Sequence, residues 1–291
     1  MKRPWQPLRP SDEMKGTTNM SNLRPVRLCV ALAAVGVIAV PATASAMPVI
    51  TMSGSTSVAP LAALLARGYL KANPGSAKFK LAQGGSDVGV ADVAAGRVSI
   101  GNSSRDPKSS DPGGLVFNKI AKDAICIITN PSNPITSLSS AQIKAIFSGS
   151  ARNWSDIAGS SKTGSIDVIV RTAASGTQDA FQKIFMGSTS VTGVASAKSS
   201  NGLIQQTVKS NPNAIGYVSM DFIAGTHASQ YNGVACDLRN AKSGEYGGVR
   251  NFWMVTRGTP KSGGSIDKFI KWNQDSAAAQ KITGTHWVPL N

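Results

Sequence analysis

Histidine and cysteine are scarce in this sequence of 291 residues, which contains two histidines and three cysteines. Hydrolysis by a Ser–His–Asp triad needs a histidine next to the nucleophile, and neither His227 nor His286 lies in a turn typical of one. The sequence also has no CxxC motif, no HExxH motif and no cluster of acidic residues that could hold a catalytic metal. These absences argue against an enzyme, and we expect neither a metal site nor a cofactor.

Acidic and aromatic residues are also few. Fifteen Asp and Glu residues stand against 30 Lys and Arg, which gives a formal net charge of +15, and aromatic residues make up 6% of the chain. A basic excess favours anionic partners. The basic residues are scattered singly with few aromatics among them, so the basic stripe typical of nucleic-acid binding is missing. We therefore expect an anionic partner other than nucleic acid.

The apolar run near the N-terminus, residues 28–40, is too short to cross a membrane, because a spanning helix needs about 20 residues. Arg24 and Arg27 precede this run, and Ala44-Ser45-Ala46 follows it. A basic region, a short apolar region and an A-x-A site are typical of a secretory signal peptide; a buried helix is the alternative. We predict that residues 1–46 are signal peptide with an upstream leader, and that the mature protein, from Met47, is periplasmic or secreted.

The cysteines bear on anchoring and on disulfide formation. Cys29 follows Val26-Arg27-Leu28, which differs from a lipoprotein-processing box, so we expect no lipid anchor. Cys126 and Cys236 remain after cleavage. They can form a disulfide in an oxidising compartment or stay as buried thiols, and the sequence leaves both possibilities open.

The mature chain alternates short apolar strands with helices. Strands are predicted at residues 49–52, 78–83, 99–101, 124–129, 166–170, 215–218 and 252–256. Helices are predicted from residue 58 with Pro60 in the first turn, at 88–95, at 141–147 after a Ser140 cap, at 180–185, and from a Ser265 cap through Ala277. This alternation indicates an α/β fold with mostly parallel sheets, and its restart after Asn130 indicates two lobes.

Three turns rich in glycine, serine and threonine each follow a predicted strand and open a helix. They are Ser55-Thr56-Ser57, Ser86 and Ser175-Gly176-Thr177. A helix start offers free backbone N–H groups to an anion, hydroxyls add further donors, and glycine allows close approach. Ligands of α/β sheets bind beyond the carboxyl ends of the strands, where these turns would lie. Each turn alone is better explained as a helix cap, but three of them across two lobes indicate an oxyanion site.

Two arginines stand beside such turns. Arg171 ends a predicted strand four residues before Ser175, and its guanidinium can bind an oxyanion through charged hydrogen bonds worth about 1.5–3 kcal/mol each. A surface salt bridge is the alternative for Arg171. Arg105, which follows Ser103-Ser104, is a second candidate.

Several segments together resemble one family, the phosphate-binding subunit of bacterial phosphate ABC importers. The turns that carry the resemblance are Gly54-Ser55-Thr56-Ser57, Gln83-Gly84-Gly85-Ser86, Ile100-Gly101-Asn102-Ser103-Ser104-Arg105 and Arg171-Thr172-Ala173-Ala174-Ser175-Gly176-Thr177. Residues 138–149 and 213–218 are similar to that family as well. The spacing between Arg171 and Ser175-Gly176-Thr177 is the most specific element.

The resemblance implies a two-lobed, type II fold like that of periplasmic binding proteins, with the ligand in the cleft between the lobes. It implies a first lobe at residues 47–128, a second at 129–252 and a return to the first at 253–291. It also implies a monomer that delivers inorganic phosphate to the membrane permease of an ABC importer. The ligand-binding residues that it implies are Thr56, Ser86, Arg171, Ser175, Gly176 and Thr177, to which Ser55 or Ser57 can add a bond. With Ser104 and Arg105 of the third turn, the predicted set contains Ser55, Thr56, Ser57, Ser86, Ser104, Arg105, Arg171, Ser175, Gly176 and Thr177.

One position departs from the family. Some members have an aspartate in the third turn that accepts the proton of hydrogenphosphate and so rejects sulfate, and Ser104 falls at that position. A site that demands a substrate proton can discriminate by about 10⁴-fold or more. Asp87 and Asp106 are candidate acceptors, although either can equally be a solvated turn or cap residue.

Other functions stay open beside phosphate capture. A site of neutral donors and one arginine also suits sulfate or molybdate. A secreted phosphate scavenger without an importer is a further alternative, because docking on a permease has no sequence motif. A phosphate-ester hydrolase is the least favoured.

Overall fold

The computed structural model describes residues 46–290. The predicted signal peptide lies outside the described residues, except for Ala46. Within the described part of the chain, no helix is long and apolar enough to span a bilayer.

The first elements and the last elements of the chain pack together, and we call this part lobe 1. Its elements are β1 (Val49–Gly54), α1 (Ala59–Ala72), β2 (Lys78–Leu81), α2 (Ser86–Ala94), β3 (Ile100–Ser103), the first part of β4 (Leu115–Thr129), β10 (Val249–Arg257), α7 (Ser265–Asp275) and α8 (Ala277–Thr283). Its core contains large apolar side chains from both ends of the chain, among them Ile50, Leu61, Phe252, Phe269 and Trp287.

The middle of the chain forms lobe 2. Its elements are the last part of β4, β5 (Ser137–Leu138), α3 (Ser140–Ser148), β6 (Asp167–Arg171), α4 (Gly176–Phe181), β7 (Ser196–Lys198), α5 (Asn201–Ser210), β8 (Ala214–Ser219), β9 (His227–Tyr231) and α6 (Leu238–Ser243). Two cores of buried residues hold them together. One includes Ile127, Phe147, Phe181 and Tyr217, and the other includes Ile204, Val208, Val218 and Ala241. The exact lobe boundaries given above stay a prediction.

Strand β4 passes from one lobe into the other. Its residues Leu115–Ala124 pair with β10, and its residues Ile125–Thr129 pair with β8. The strand order is β2-β1-β3-β10-β4-β8-β6-β7, with β9 on β4 and β5 on β9. The sequence predicted only the second part of β4, because the first part is less apolar.

The pairing is parallel around the helical connections and antiparallel elsewhere. β1 is parallel to β2 and β3, and β6 is parallel to β7 and β8. β4 and β10 are antiparallel to all the strands they pair with. The expectation of mostly parallel sheets therefore holds for the strand–helix–strand units and fails for the two long strands.

Several helix boundaries differ from the sequence prediction. α1 begins at Ala59 instead of residue 58, α2 covers Ser86–Ala94 instead of 88–95, and α4 covers Gly176–Phe181 instead of 180–185. Ser139, not Ser140, caps α3: its hydroxyl accepts the Gln142 N–H while the Gln142 side chain accepts the Ser139 N–H. Ser265 is the first residue of α7 rather than its cap, and the helix ends before Ser276, so Ala277 begins a separate helix.

Cys126 and Cys236 form a disulfide, which answers a question that the sequence left open. The bond joins β4 to the loop before α6 across a sequence separation of 110 residues. It therefore ties the end of lobe 2 to the strand that both lobes share.

Candidate functional site

Seven hydroxyl side chains lie buried where the starts of three helices meet, and we call them the hydroxyl cluster. Its members are Ser55, Thr56, Ser57, Ser86, Ser104, Ser175 and Thr177. Lobe 1 supplies the first five, which follow β1, open α2 or follow β3, and lobe 2 supplies the last two at the start of α4. The structure thus brings together nine of the ten residues predicted from the sequence, counting Arg171 and Gly176.

Within lobe 1, the serines form a connected chain. The Ser55 hydroxyl accepts the N–H groups of Ser57 and Val58 in the turn before α1, and it donates to Ser104 Oγ over 2.9 Å. The Ser86 hydroxyl accepts the Ser104 N–H over 3.0 Å. Ser55 therefore stabilises the turn before α1 and also belongs to the cluster; it is not the cap of that helix.

The lobe 2 turn Ser175-Gly176-Thr177 packs against these serines. Ser175 caps α4, since its hydroxyl accepts the N–H groups of Thr177 and Gln178. Gly176 follows it, and a Cβ at this position would overlap Ser86 Oγ and come within 2.9 Å of Ser104 Oγ. Only glycine lets the two lobes approach this closely.

Hydrogen bonds cross between the lobes within the cluster. Ser57 Oγ lies 3.0 Å from Thr177 Oγ1, and Arg171 Nη2 donates to Thr56 Oγ1 over 3.1 Å. The polar side chains of lobe 1 and lobe 2 therefore form one continuous site.

Arg171 is the buried charge of this site. Its guanidinium donates to the carbonyl oxygens of Lys198 and Ser199, and also to Thr177 Oγ1. Among the described residues it pairs with no carboxylate. Burial lowers the pKa of Arg171 to about 10, so the side chain is a buried cation at neutral pH.

Tyr217 holds Arg171 and α4 in place. The Tyr217 hydroxyl accepts the Arg171 backbone N–H over 3.0 Å and donates to Gln178 Oε1. Its ring stacks on Phe181 with centroids 3.8 Å apart. One buried aromatic side chain therefore links the end of β6 to the first turn of α4.

The structure does not bring the Arg105 guanidinium to the cluster. It makes ion pairs with Asp87 and Asp111, each 2.6 Å long. The Asp87 carboxylate is therefore already paired with Arg105. The second candidate acceptor, Asp106, accepts hydrogen bonds from the side chains of Asn251 and Trp253. Neither predicted acceptor contacts the hydroxyl cluster.

The sequence analysis missed a buried ion pair beside the cluster. Arg250 of β10 donates from Nε and Nη2 to Asp123 Oδ2 of β4, over 3.0 and 2.8 Å, and Nη2 also donates to Ser57 Oγ over 3.0 Å. Ser219 donates to the other Asp123 oxygen. Burial raises the pKa of Asp123, whereas the charge of Arg250 opposes that rise. The available sequence signal was Asp123, a charged residue directly before the apolar run 124–129.

Asn201 is the other residue that the sequence analysis missed. It opens α5 in lobe 2 and is fully buried. Its Nδ2 donates to Thr56 Oγ1 over 3.1 Å and to Ser57 Oγ over 2.8 Å. No motif marks this asparagine, because it lies far along the chain from the two hydroxyls that it contacts.

Two α/β lobes that share crossing strands and enclose a buried polar cluster define the class of two-lobed binding proteins. Residues 39–277 match the family described as the PBP superfamily domain, and the chain belongs to this superfamily. The two-lobed α/β fold predicted from the sequence is confirmed.

Solved structures are similar over most of the chain. A phosphate ABC transporter substrate-binding protein with bound phosphate from Clostridium perfringens is 31% identical, with a TM-score of 0.78, and the match covers 84% of this chain and 100% of that one. An ABC-type phosphate transport receptor from Vibrio cholerae is 27% identical, with a TM-score of 0.67 and coverages of 82% and 99%.

A curated relative is the phosphate-binding protein PstS of Bacillus subtilis, which is 29% identical over 203 residues. The match covers 68% of this chain and 66% of that protein. A phosphate-binding protein PstS 2 of Streptococcus agalactiae is 31% identical over 109 residues, which is 37% of each chain. The resemblance to phosphate-binding subunits that the sequence predicts is confirmed.

Proposed function

We propose that this chain is an exported solute-binding protein that captures inorganic phosphate for an ABC importer. The ligand is held between the lobes by the hydroxyl cluster, by backbone N–H groups at the starts of α1, α2 and α4, and by Arg171. The phosphate-binding names of its relatives support this proposal.

One observation carries the proposal: Arg171 is a buried guanidinium without a carboxylate partner among the described residues. A buried cation is costly unless an opposite charge compensates it. Around it stand hydroxyl groups from both lobes, and those of Thr56 and Thr177, which accept from Arg171, can donate to an oxyanion. A small anion with several oxygens fits this arrangement.

The geometry also supports enclosure of the ligand rather than binding on an open surface. The hydroxyl cluster is buried, and Gly176 of lobe 2 sits against Ser86 of lobe 1. The Asp87 N–H also donates to the Ala174 carbonyl oxygen of the other lobe over 3.1 Å. An anion between these turns is removed from water, which strengthens each of its charged hydrogen bonds.

A second candidate is a binder of another tetrahedral oxyanion, such as sulfate or molybdate. The observation that favours it is the engagement of each nearby carboxylate elsewhere: Asp87 with Arg105, Asp106 with Asn251, and Asp123 with Arg250. The cluster therefore offers the proton of hydrogenphosphate no free carboxylate among these three.

The remaining parts of the proposal follow from the family. The relatives are named as binding or transport proteins, and we infer that this chain binds its ligand without catalysis. We further infer that it is a monomer, that it works in the periplasm or outside the cell after signal-peptide cleavage, and that a membrane permease receives the ligand. A secreted scavenger without an importer is the alternative for this last step.

Isothermal titration calorimetry on purified residues 47–291 tests the proposal. We expect one inorganic phosphate per chain at two pH values, with binding that excess sulfate does not reduce. Comparable affinities for phosphate and sulfate would replace phosphate capture by general oxyanion binding. Binding of neither anion would overturn both, and turnover of a chromogenic phosphate ester would overturn the absence of catalysis.

A further inference from the structure

The orientation of the Asn201 side-chain amide is fixed by a backbone group. Its Oδ1 accepts the Ser219 N–H over 3.1 Å, and a backbone N–H can only donate. The amide nitrogen must therefore face the other way, where Thr56 Oγ1 and Ser57 Oγ lie. Asn201 is thus an obligatory donor to two hydroxyl groups of the opposite lobe.

The direction in which the Ser57 hydroxyl donates its proton is fixed by its other hydrogen bonds. A hydroxyl oxygen accepts two hydrogen bonds and donates one. Ser57 Oγ accepts from Asn201 Nδ2 and from Arg250 Nη2, and both groups are donors only. Its own proton must then be donated, and the hydroxyl within reach is Thr177 Oγ1 at 3.0 Å.

The hydroxyl protons of Thr56 and Thr177 consequently point away from their protein partners. Thr177 Oγ1 accepts from Ser57 and from Arg171 Nη1, and Thr56 Oγ1 accepts from Arg171 Nη2 and Asn201 Nδ2. Both oxygens have accepted two hydrogen bonds. Neither threonine proton has a protein acceptor within residues 46–290, so each is available to a ligand.

We propose that Asn201 and Arg250 are positioning residues that set the direction of every proton in this network, so that Thr56 and Thr177 present donors only to a bound anion. The inference rests on the proposed oxyanion function. It assigns no direct ligand contact to Asn201 or Arg250. They act through hydroxyls, and each does so from a different element: α5 of lobe 2 and β10 of lobe 1.

The Asn201→Asp variant replaces a hydrogen-bond donor with an acceptor and keeps nearly the same side-chain shape. One carboxylate oxygen still accepts the Ser219 N–H, but the other accepts protons from Thr56 and Ser57 and turns them away from the ligand. We expect phosphate affinity to fall by about 100-fold or more, because donors are lost and a negative charge is added. Asn201→Ala only removes one donor from Thr56 Oγ1 and from Ser57 Oγ, so we expect phosphate affinity to fall by about tenfold.

A double-variant cycle separates proton direction from a merely structural role. We expect Ser57→Ala to weaken phosphate binding about tenfold, and the double variant Asn201→Ala/Ser57→Ala to lose less than the product of the two single losses. This follows because both changes break the same path to Thr177. Ser229→Ala is the matched control: this serine is equally buried, but its hydroxyl donates to the Ile135 carbonyl oxygen away from the cluster.

Calorimetry with inorganic phosphate gives the affinities, and the melting temperature without phosphate checks each fold. Wild-type affinity in Asn201→Ala or in Asn201→Asp would overturn the inference, as would single losses that multiply independently. If Asn201→Ala does not fold, the isosteric Asn201→Asp variant still decides. A wild-type protein that binds no phosphate would overturn the proposed function instead, which keeps the two failures distinguishable.

Discussion

Lys108 Nζ lies 3.0 Å from Asp179 Oδ1, and this ion pair joins the β3–β4 loop of lobe 1 to helix α4 of lobe 2. Asp179 also pairs with Lys183, one turn further along its own helix, over 3.2 Å. The same carboxylate therefore has one partner across the cleft and one within its lobe. Only the contact with Lys108 depends on closure of the lobes.

Removing the contact across the cleft should weaken ligand capture without affecting the site itself. The Lys108 and Asp179 side chains are 28% and 17% exposed, and a partly exposed pair contributes about 0.2–1 kcal/mol. We expect Lys108→Ala to lower phosphate affinity by up to about fivefold, and less at high salt. Lys183→Ala is the control and should leave the affinity unchanged. Equal effects of the two variants in calorimetry would refute a role in closure.

Arg171→Ala should lower phosphate affinity by about 100-fold or more, since it removes charged hydrogen bonds worth about 1.5–3 kcal/mol each. The fold should persist, because the variant also removes a buried charge. Arg152→Ala, an exposed arginine of lobe 2, serves as the control. Calorimetry and melting temperature measure both effects, and an unchanged affinity would falsify the site proposed here.

The same arginine predicts a loss of affinity at alkaline pH. Burial lowers the pKa of Arg171 to about 10, so the unliganded protein loses this charge as the pH rises through that value. A bound anion favours the charged form, and phosphate affinity should therefore fall as the pH rises above about 10. Well below that pH, Arg171 stays charged and its titration adds no pH dependence to the affinity. Titrations across this range in wild type and Arg171→Ala check the assignment. A fall in affinity of the same size in Arg171→Ala would show that other groups cause the pH dependence.

Gly176→Ala should abolish phosphate binding by a steric route. The added Cβ overlaps Ser86 Oγ, so the lobes cannot close to the observed distance. We expect an affinity loss of at least about 100-fold, because every hydrogen bond across the cleft is weakened together. Gly202→Ala, in the first turn of α5, is the matched control, since the nearest atom to its Cβ is 4.0 Å away. Calorimetry that finds both variants equally competent would show that the contact at Gly176 is dispensable.

Reducing the Cys126–Cys236 disulfide should affect stability and spare binding. The bond closes a loop of 110 residues, for which removal lowers the free energy of unfolding by about 2–5 kcal/mol. Urea unfolding with and without reductant measures this difference, and Cys126→Ser/Cys236→Ser provides the same comparison without reductant. We expect phosphate affinity to stay within about twofold, since neither cysteine contacts the hydroxyl cluster. A large affinity loss in the folded, reduced protein would contradict this.

The parts of the site that could be predicted are those whose signal is local in sequence. Ser175-Gly176-Thr177 follows a strand and opens a helix, so its backbone geometry is encoded by neighbouring residues. The same is true of Ser86 at the start of α2. Strand ends and helix starts of this kind can be placed from periodicity and capping residues alone.

The rest depends on contacts that the sequence does not display. Arg105 lies two residues after β3 and Arg171 ends β6, yet Arg105 pairs with Asp87 and Asp111 while Arg171 has no acidic partner among the described residues. Arg250 and Asn201 reach Ser57 from positions 193 and 144 residues away. Such pairings follow from how the lobes fold together, and no spacing rule gives them.

The position of β10 has a consequence for the order in which the chain acquires its structure. β10 lies between β3 and β4, although it comes from the far end of the chain, whereas the elements of lobe 2 follow one another without interruption. Pairings between distant segments form slowly, and an unpaired strand edge invites aggregation. In a chain that emerges N-terminus first, β3 has no partner on this edge until Val249–Arg257 is outside. We expect lobe 2 to complete its core first. In chains truncated before Val249, a protease should therefore cleave lobe 1 and spare lobe 2. The segment of lobe 1 that precedes β10 therefore depends on protection of its open strand edge until β10 has been added.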